Sequence, residues 1–163
     1  MAVKRGKEFE GIIKTAFEKV RGVSIDRLHD QTTGFRGSQN ICDFIVYREP
    51  YQYYIECKTI HGNVLPFRNI TDTQWLGLLE KSKIDGVRAG IICWWIDRDK
   101  TFFIPIEYLE LLRLDNLKSI HVGMAQSAYS EKKEKFPIEI HGKKKRVFFD
   151  YDMEAFFNGF NDV

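Results

Sequence analysis

The chain has 163 residues, 44% hydrophobic and 29% charged, a balance that suits one folded domain over 1–163 and argues against a disordered or fibrous chain. Its formal net charge is only +2, so bulk charge does not announce a nucleic-acid binder. No apolar run approaches the ~18 residues needed to span a bilayer, and residues 1–7 are followed by no apolar leader segment, so no membrane partner is expected and the cytoplasm is the expected compartment.

Residues 4–21 predict an amphipathic helix. Phe9, Ile12, Ile13, Ala16, Phe17 and Val20 fall on one stripe, and Gly22 ends it. Residues 22–40 are polar and turn-rich, which predicts a loop or a short irregular hairpin. Two strands are expected at 41–47 and 51–58, joined by Arg48-Glu49-Pro50 as a hairpin. Residues 59–70 read as a connecting loop. Thr71 with Gln74 three residues later predicts a capping box, opening a helix whose apolar side is Trp75, Leu76, Leu78 and Leu79. The run at 89–96 predicts a central strand, 97–100 a turn and 101–104 the next strand. Pro105 suits the first turn of a short helix reaching Arg113. A hairpin around His141-Gly142 is expected over 137–150, then a helix over 152–157. The order of elements predicts an α/β fold with a mixed central β-sheet flanked by helices.

The three cysteines, Cys42, Cys57 and Cys93, each sit in an apolar, strand-like stretch and form no CxxC pair, which predicts buried, reduced thiols. His29, His61, His121 and His141 lack ligand spacing, so zinc is not expected.

Two anomalies carry the chemistry. Asp43 interrupts Ile-Cys-Asp-Phe-Ile-Val-Tyr, where a lone carboxylate is costly. Glu56 and Lys58 interrupt the next strand at i and i+2, so both leave on one face, and a hairpin would bring Asp43 to it. Two carboxylates on adjacent strands, with the Cys57 backbone carbonyl between the two side chains, make an oxygen-rich site for Mg²⁺. Lys58 would then orient the attacking water, help deprotonate it, or balance charge on the phosphate. An exposed edge-strand ion pair would leave the same pattern. Glu10, at the margin of the first helix's stripe, is a candidate third acid. Gln74 is explained by the capping box and is also a candidate for contacting water or phosphate.

Basic residues gather in runs: Lys4, Arg5 and Lys7; Lys132, Lys133 and Lys135; and Lys143, Lys144, Lys145 and Arg146. Such runs can neutralise phosphates, although a single run is as well explained as a solvated face.

Together these residues resemble the RecU-type Holliday junction resolvases of the PD-(D/E)xK nuclease superfamily. Gly6-Lys7-x-Phe9-Glu10 is similar to that family's N-terminal helix motif, and Cys42-Asp43-Phe44 to its Asp-aromatic pair. Ile55-Glu56-Cys57-Lys58-Thr59 resembles its E-A-K-E-T. Leu65-Pro66-Phe67-Arg68-Asn69-Ile70, Thr73-Gln74, Phe103-Ile104-Pro105 and Lys118-Ser119-Ile120 match later landmarks in order. The resemblance implies a restriction-endonuclease-like core and a homodimer that nicks four-way DNA junctions symmetrically with Mg²⁺, Mn²⁺ being a possible substitute. Asp43, Glu56 and Glu10 would bind metal, Lys58 would serve catalysis, and Gln74 would support it. Lys4, Arg5, Lys7, Arg36, Arg68, Lys143, Lys144, Lys145 and Arg146 are the expected DNA contacts.

One departure stands out. The family's basic stalk precedes the catalytic Asp, and here 22–40 is a short stalk-like loop. The segment 121–163 is expected to hold a basic C-terminal hairpin and helix, and its basic segments at 132–146 are the candidates to compensate. A compact version of this kind suits a phage-encoded enzyme. The alternatives are a nuclease of the same superfamily with another substrate (restriction, repair or flap-like), or a DNA-binding module whose acids merely pair with Lys58.

Overall fold

The structure is a computed structural model and describes residues 2–29 and 40–160. The chain runs through α1 (Ala2–Glu18), β1 (Ser24–Arg27), β2 (Phe44–Arg48), β3 (Tyr51–Ile60), β4 (Val64–Pro66), a 3-10 turn (Phe67–Asn69) and α2 (Asp72–Ser82). It continues through β5 (Val87–Trp95), a second 3-10 turn (Ile96–Arg98), β6 (Lys100–Pro105), α3 (Ile106–Leu114), β7 (Ser119–His121) and α4 (Val122–Glu131). It ends with β8 (Ile138–Glu139), β9 (Gly142–Lys144), β10 (Phe149–Tyr151) and α5 (Met153–Gly159).

Six strands form the main sheet in the order β1-β2-β3-β5-β6-β8. β3 and β5 pair in parallel, joined by the crossover through α2, and the other pairings are antiparallel. The sheet is therefore mixed and flanked by helices, as the order of elements predicted. Alternation along the strands divides the core in two. Phe44, Val46, Tyr53, Ile55, Cys57, Ile92 and Trp94 face α1 and α5, where Phe9, Ile13, Phe17, Phe156 and Phe157 cover them. Cys42, Ile91, Cys93, Trp95 and Ile104 belong to the opposite cluster, with Trp75 and Leu78 of α2, Leu109 and Leu112 of α3, and Ala125 and Ala128 of α4. β5, covered on both sides, is the continuous apolar run seen in the sequence. Gly90 lets β6 come close, since a Cβ there would lie 2.3 Å from the Ile104 carbonyl oxygen.

Several expectations need correction. Residues 24–27, expected as loop or part of a short irregular hairpin, are strand β1, because Ile25 and Arg27 are the half-buried positions of an alternating segment and pair with Val46 and Phe44. The rest of the stalk-like segment, 30–39, lies outside the described residues. β2 starts at Phe44, three residues later than expected, and β3 runs two residues past Lys58. The 59–70 loop holds β4, which pairs with β7. Leu76 is 59% exposed because the buried stripe of α2 is Trp75 and Leu78, and position 76 lies off it. The segment 121–163 holds an unforeseen helix, α4. It is capped by a His121 ring nitrogen that accepts from the Gly123 N–H, and small residues at Ala125 and Ala128 supply its buried side. The C-terminal hairpin turns over residues 145–148, not at His141-Gly142. β8 joins the main sheet instead, and β9 pairs with β10. Cys42, Cys57 and Cys93 are buried free thiols, as expected, and burial pushes all three pKa values up.

Candidate active site

β2 and β3 set the geometry. Their register pairs Phe44 with Ile55, so the next step outward brings Asp43 opposite Glu56. The Asp43 N–H donates to the Ile55 carbonyl at 3.0 Å, and the Cys57 N–H donates to Asp43 Oδ2 at 2.8 Å. The Asp43 carbonyl accepts from the Leu28 N–H at 2.8 Å, which ties the segment to the end of β1. Asp43 is thus fixed on three sides, just outside β2.

The Asp43 and Glu56 carboxyls lie close enough that each shifts the pKa of the other. Glu56 is 5% exposed. Burial, and then the neighbouring Asp43 charge, push its pKa up to about 8. Burial also raises Asp43, against the lowering effect of the Cys57 N–H, Glu56, Lys58 and Arg27. Lys58 Nζ lies 3.5 Å from Glu56 Oε1, with its side chain only 21% exposed. Asp43, Glu56 and Lys58 therefore meet on one side of the sheet, the arrangement their alternation predicted, and not as an exposed edge pair.

Glu10 is held by Arg27 at 2.5 Å. Arg27 stands 6.0 Å over the Phe44 ring, and its charge reaches Asp43. Sequence reasoning gave Arg27 no role. The available signal was the alternation in Val23-Ser24-Ile25-Asp26-Arg27, which marks a strand ending beside Asp43. Gln74 spends one side-chain oxygen on the capping box, accepting from the Thr71 N–H at 3.1 Å while its own N–H donates to Thr71 Oγ1 at 3.2 Å. Gly77 brings this end of α2 against the segment before Asp43, since a Cβ there would sit 2.2 Å from Ile41 Cγ2.

Among the described residues, no group of three or more His, Cys, Asp and Glu side chains gathers as a metal cluster. The acidic pair stands with two carboxylates.

The basic runs are partly brought together. Arg5 lies 5.3 Å over the Phe148 ring, so the N-terminal run of α1 meets the hairpin that carries Lys143, Lys144, Lys145 and Arg146. Lys4, Lys7 and Arg68 are exposed, and Arg36 lies outside the described residues. Among the described residues no helix is long and apolar enough to cross a membrane.

No family model and no curated relative matches the sequence. Among solved structures, the chain is similar to Hjc, a Holliday junction resolvase from Archaeoglobus fulgidus, at 19% identity and a TM-score of 0.46, over 63% of this chain and 78% of that one.

Proposed function

We propose that the chain is a magnesium-dependent endonuclease with a restriction-endonuclease-like core, cutting DNA with Asp43, Glu56 and Lys58. The observation that carries this reading is the closely coupled Asp43–Glu56 carboxyl pair, buried beside Lys58 where β2 and β3 part. Two carboxyl groups so close repel each other once ionised, and burial denies them water. The charged pair is at ease only with a cation. Hard oxygen donors, completed by waters and a substrate phosphate, fit Mg²⁺, with Mn²⁺ as a substitute. When bound, the ion supplies Lewis-acid stabilisation of the phosphate and makes water a stronger acid.

The protein's own groups have distinct tasks. The Cys57 N–H holds the Asp43 carboxylate toward Glu56. A strand residue's N–H and C=O leave on the same edge, so the Cys57 carbonyl faces the gap that β2 vacates and serves as a third oxygen donor. Lys58 orients the attacking water and offsets charge accumulating on the phosphate. Glu10 acts through Arg27, which it holds where the guanidinium charge reaches Asp43. Gln74, with its amide nitrogen not needed for the cap, supports the water or phosphate. Lys4, Arg5, Lys7, Arg68 and the 143–146 run hold the DNA backbone.

The finer reading is that a homodimer resolves four-way junctions by paired symmetric nicks. A two-fold enzyme presents two sites to a two-fold substrate. Support comes from the ordered motifs between residues 6 and 120 that resemble the RecU-type resolvases. The enzyme would act in the cytoplasm, where its thiols stay reduced.

The test is a digest of labelled four-way junctions, flaps, forks and linear duplex in Mg²⁺. Paired nicks confined to the junction are expected. Asp43→Asn should slow cutting on the order of a thousand-fold, because several kcal/mol of cation-borne stabilisation is lost, while binding persists. Equal cutting of linear duplex would remove the junction assignment and leave the nuclease. No cutting of any DNA would remove both.

A further inference from the structure

The β9–β10 hairpin is a two-stranded sheet of its own, packed on the α1/α5 face of the main sheet. Its two strands pair only with each other, with Lys144 opposite Phe149 and Lys143 opposite Asp150. The turn is closed by the Lys145 N–H donating to the Phe148 carbonyl at 2.8 Å, which puts Arg146 and Val147 at the tip. Residues 142–147 are all exposed, and Val147, an aliphatic side chain, is 42% exposed.

The base of the hairpin is firmly held. Phe148 and Phe149 pack on Trp94 at 5.6 and 6.4 Å between ring centroids, and the Tyr151 hydroxyl meets Thr101 Oγ1 at 2.8 Å. Asp150 binds Lys19 at 2.9 Å, and Lys144 binds Asp99 at 2.5 Å. Among the described residues no carboxylate lies within ion-pair distance of Lys143, Lys145 or Arg146, so these cations remain available to an outside anion. Trp94 pairs with Thr59, one residue beyond Lys58, and β3 and β5 are parallel. The hairpin therefore stands at the sheet end that carries the Asp43–Glu56–Lys58 site, on the face opposite the Glu56 and Lys58 side chains.

We propose that this hairpin is a DNA-gripping wing whose cations clamp backbone phosphates while Val147 contacts the unstacked bases of a branch point. Phosphate contacts provide affinity without regard to shape, whereas an apolar tip gains only where bases are already exposed or easily unstacked. A stiff, aromatic-anchored hairpin with a basic flank and an aliphatic tip suits both. The wing takes its partner from the endonuclease reading, and it supplies the branch preference for which the short 22–40 segment offers few basic residues.

The test uses full-length protein in EDTA, with fluorescence anisotropy on a four-way junction and a linear duplex of equal length, at several salt concentrations. Lys145→Ala/Arg146→Ala should weaken binding to both DNAs roughly ten-fold and lower the salt slope by roughly two. Val147→Ser should weaken junction binding several-fold and leave the duplex unchanged. All three positions are exposed, so melting curves should match wild type and separate lost contact from lost fold. Unchanged affinity and slope in the double variant would overturn the wing, as would equal losses on both DNAs for Val147→Ser. Separate cleavage reactions in Mg²⁺ keep the two claims apart. Wild-type cutting with hairpin variants that bind normally would sink the wing alone. Loss of binding in the variants without wild-type cutting of any DNA would uphold the wing and sink the endonuclease.

Discussion

At the scale of the residue, the buried acidic pair links function to stability. Glu56 ionises near 4.5 in an unfolded chain and at about 8 in the fold. Between those values the unfolded state sheds the proton and the native state keeps it, so stability falls as pH rises. The contribution is fully present at acid pH and is lost as pH passes through about 8. Without divalent cations, Glu56→Gln should therefore melt above wild type at pH 8.5 by roughly 5–10 °C, reflecting a few kcal/mol, and the gap should shrink toward pH 5. Thermal melts of both proteins across that range check this, and a gap that widens toward acid would refute it. Lys58→Ala should keep the sign of this pH dependence and move it to higher pH, because Lys58 lowers the Glu56 pKa, while reducing cutting at least a hundred-fold, as read in the junction digest. The three residues were legible because polar side chains at alternate positions in apolar strands have few bland explanations. Arg27 was not, since its importance depends on β1 pairing beside Asp43, and no local signal fixes a long-range register.

At the scale of the element, legibility followed local chemistry. The α2 cap was written in Thr71 and Gln74, and the burial of β5 in an unbroken apolar run. α4 was missed because its cap is a histidine and its buried side is built from alanines, both weak signals. The hairpin turn was misplaced because His141-Gly142 looked like a turn, whereas β8 was drawn into the main sheet by β6. The cap also lets the observed capping role of Gln74 be separated from its proposed one. Thr71→Ala should cost about 1 kcal/mol through loss of the cap, with cutting intact below the melting transition. Gln74→Ala should cost a similar amount and also slow cutting roughly 10- to 100-fold, as the loss of a supporting contact near a metal does. Paired melts and cleavage rates decide, and equal effects on both readouts would reduce Gln74 to a capping residue.

At the scale of the whole molecule, the mixed sheet fixes where chemistry and contact surfaces lie. The acidic pair sits where β2 begins beside β3, α1 and β1 bring Glu10 and Arg27 alongside, and the aromatic base under the β9–β10 hairpin joins two distant basic runs on one side. The sequence showed those runs without showing that they meet. A homodimer predicts sedimentation at twice the 19.2 kDa of the chain, and a monomer at working concentration would leave symmetric nicking without a basis. The most direct measurement is calorimetric titration of Mg²⁺ into the full-length protein at pH 7, beside Glu56→Gln. Saturable uptake by wild type, with release of up to about one proton, and little or none by Glu56→Gln is the expected result. Identical uptake by both proteins would show that the Asp43–Glu56 pair does not hold the ion.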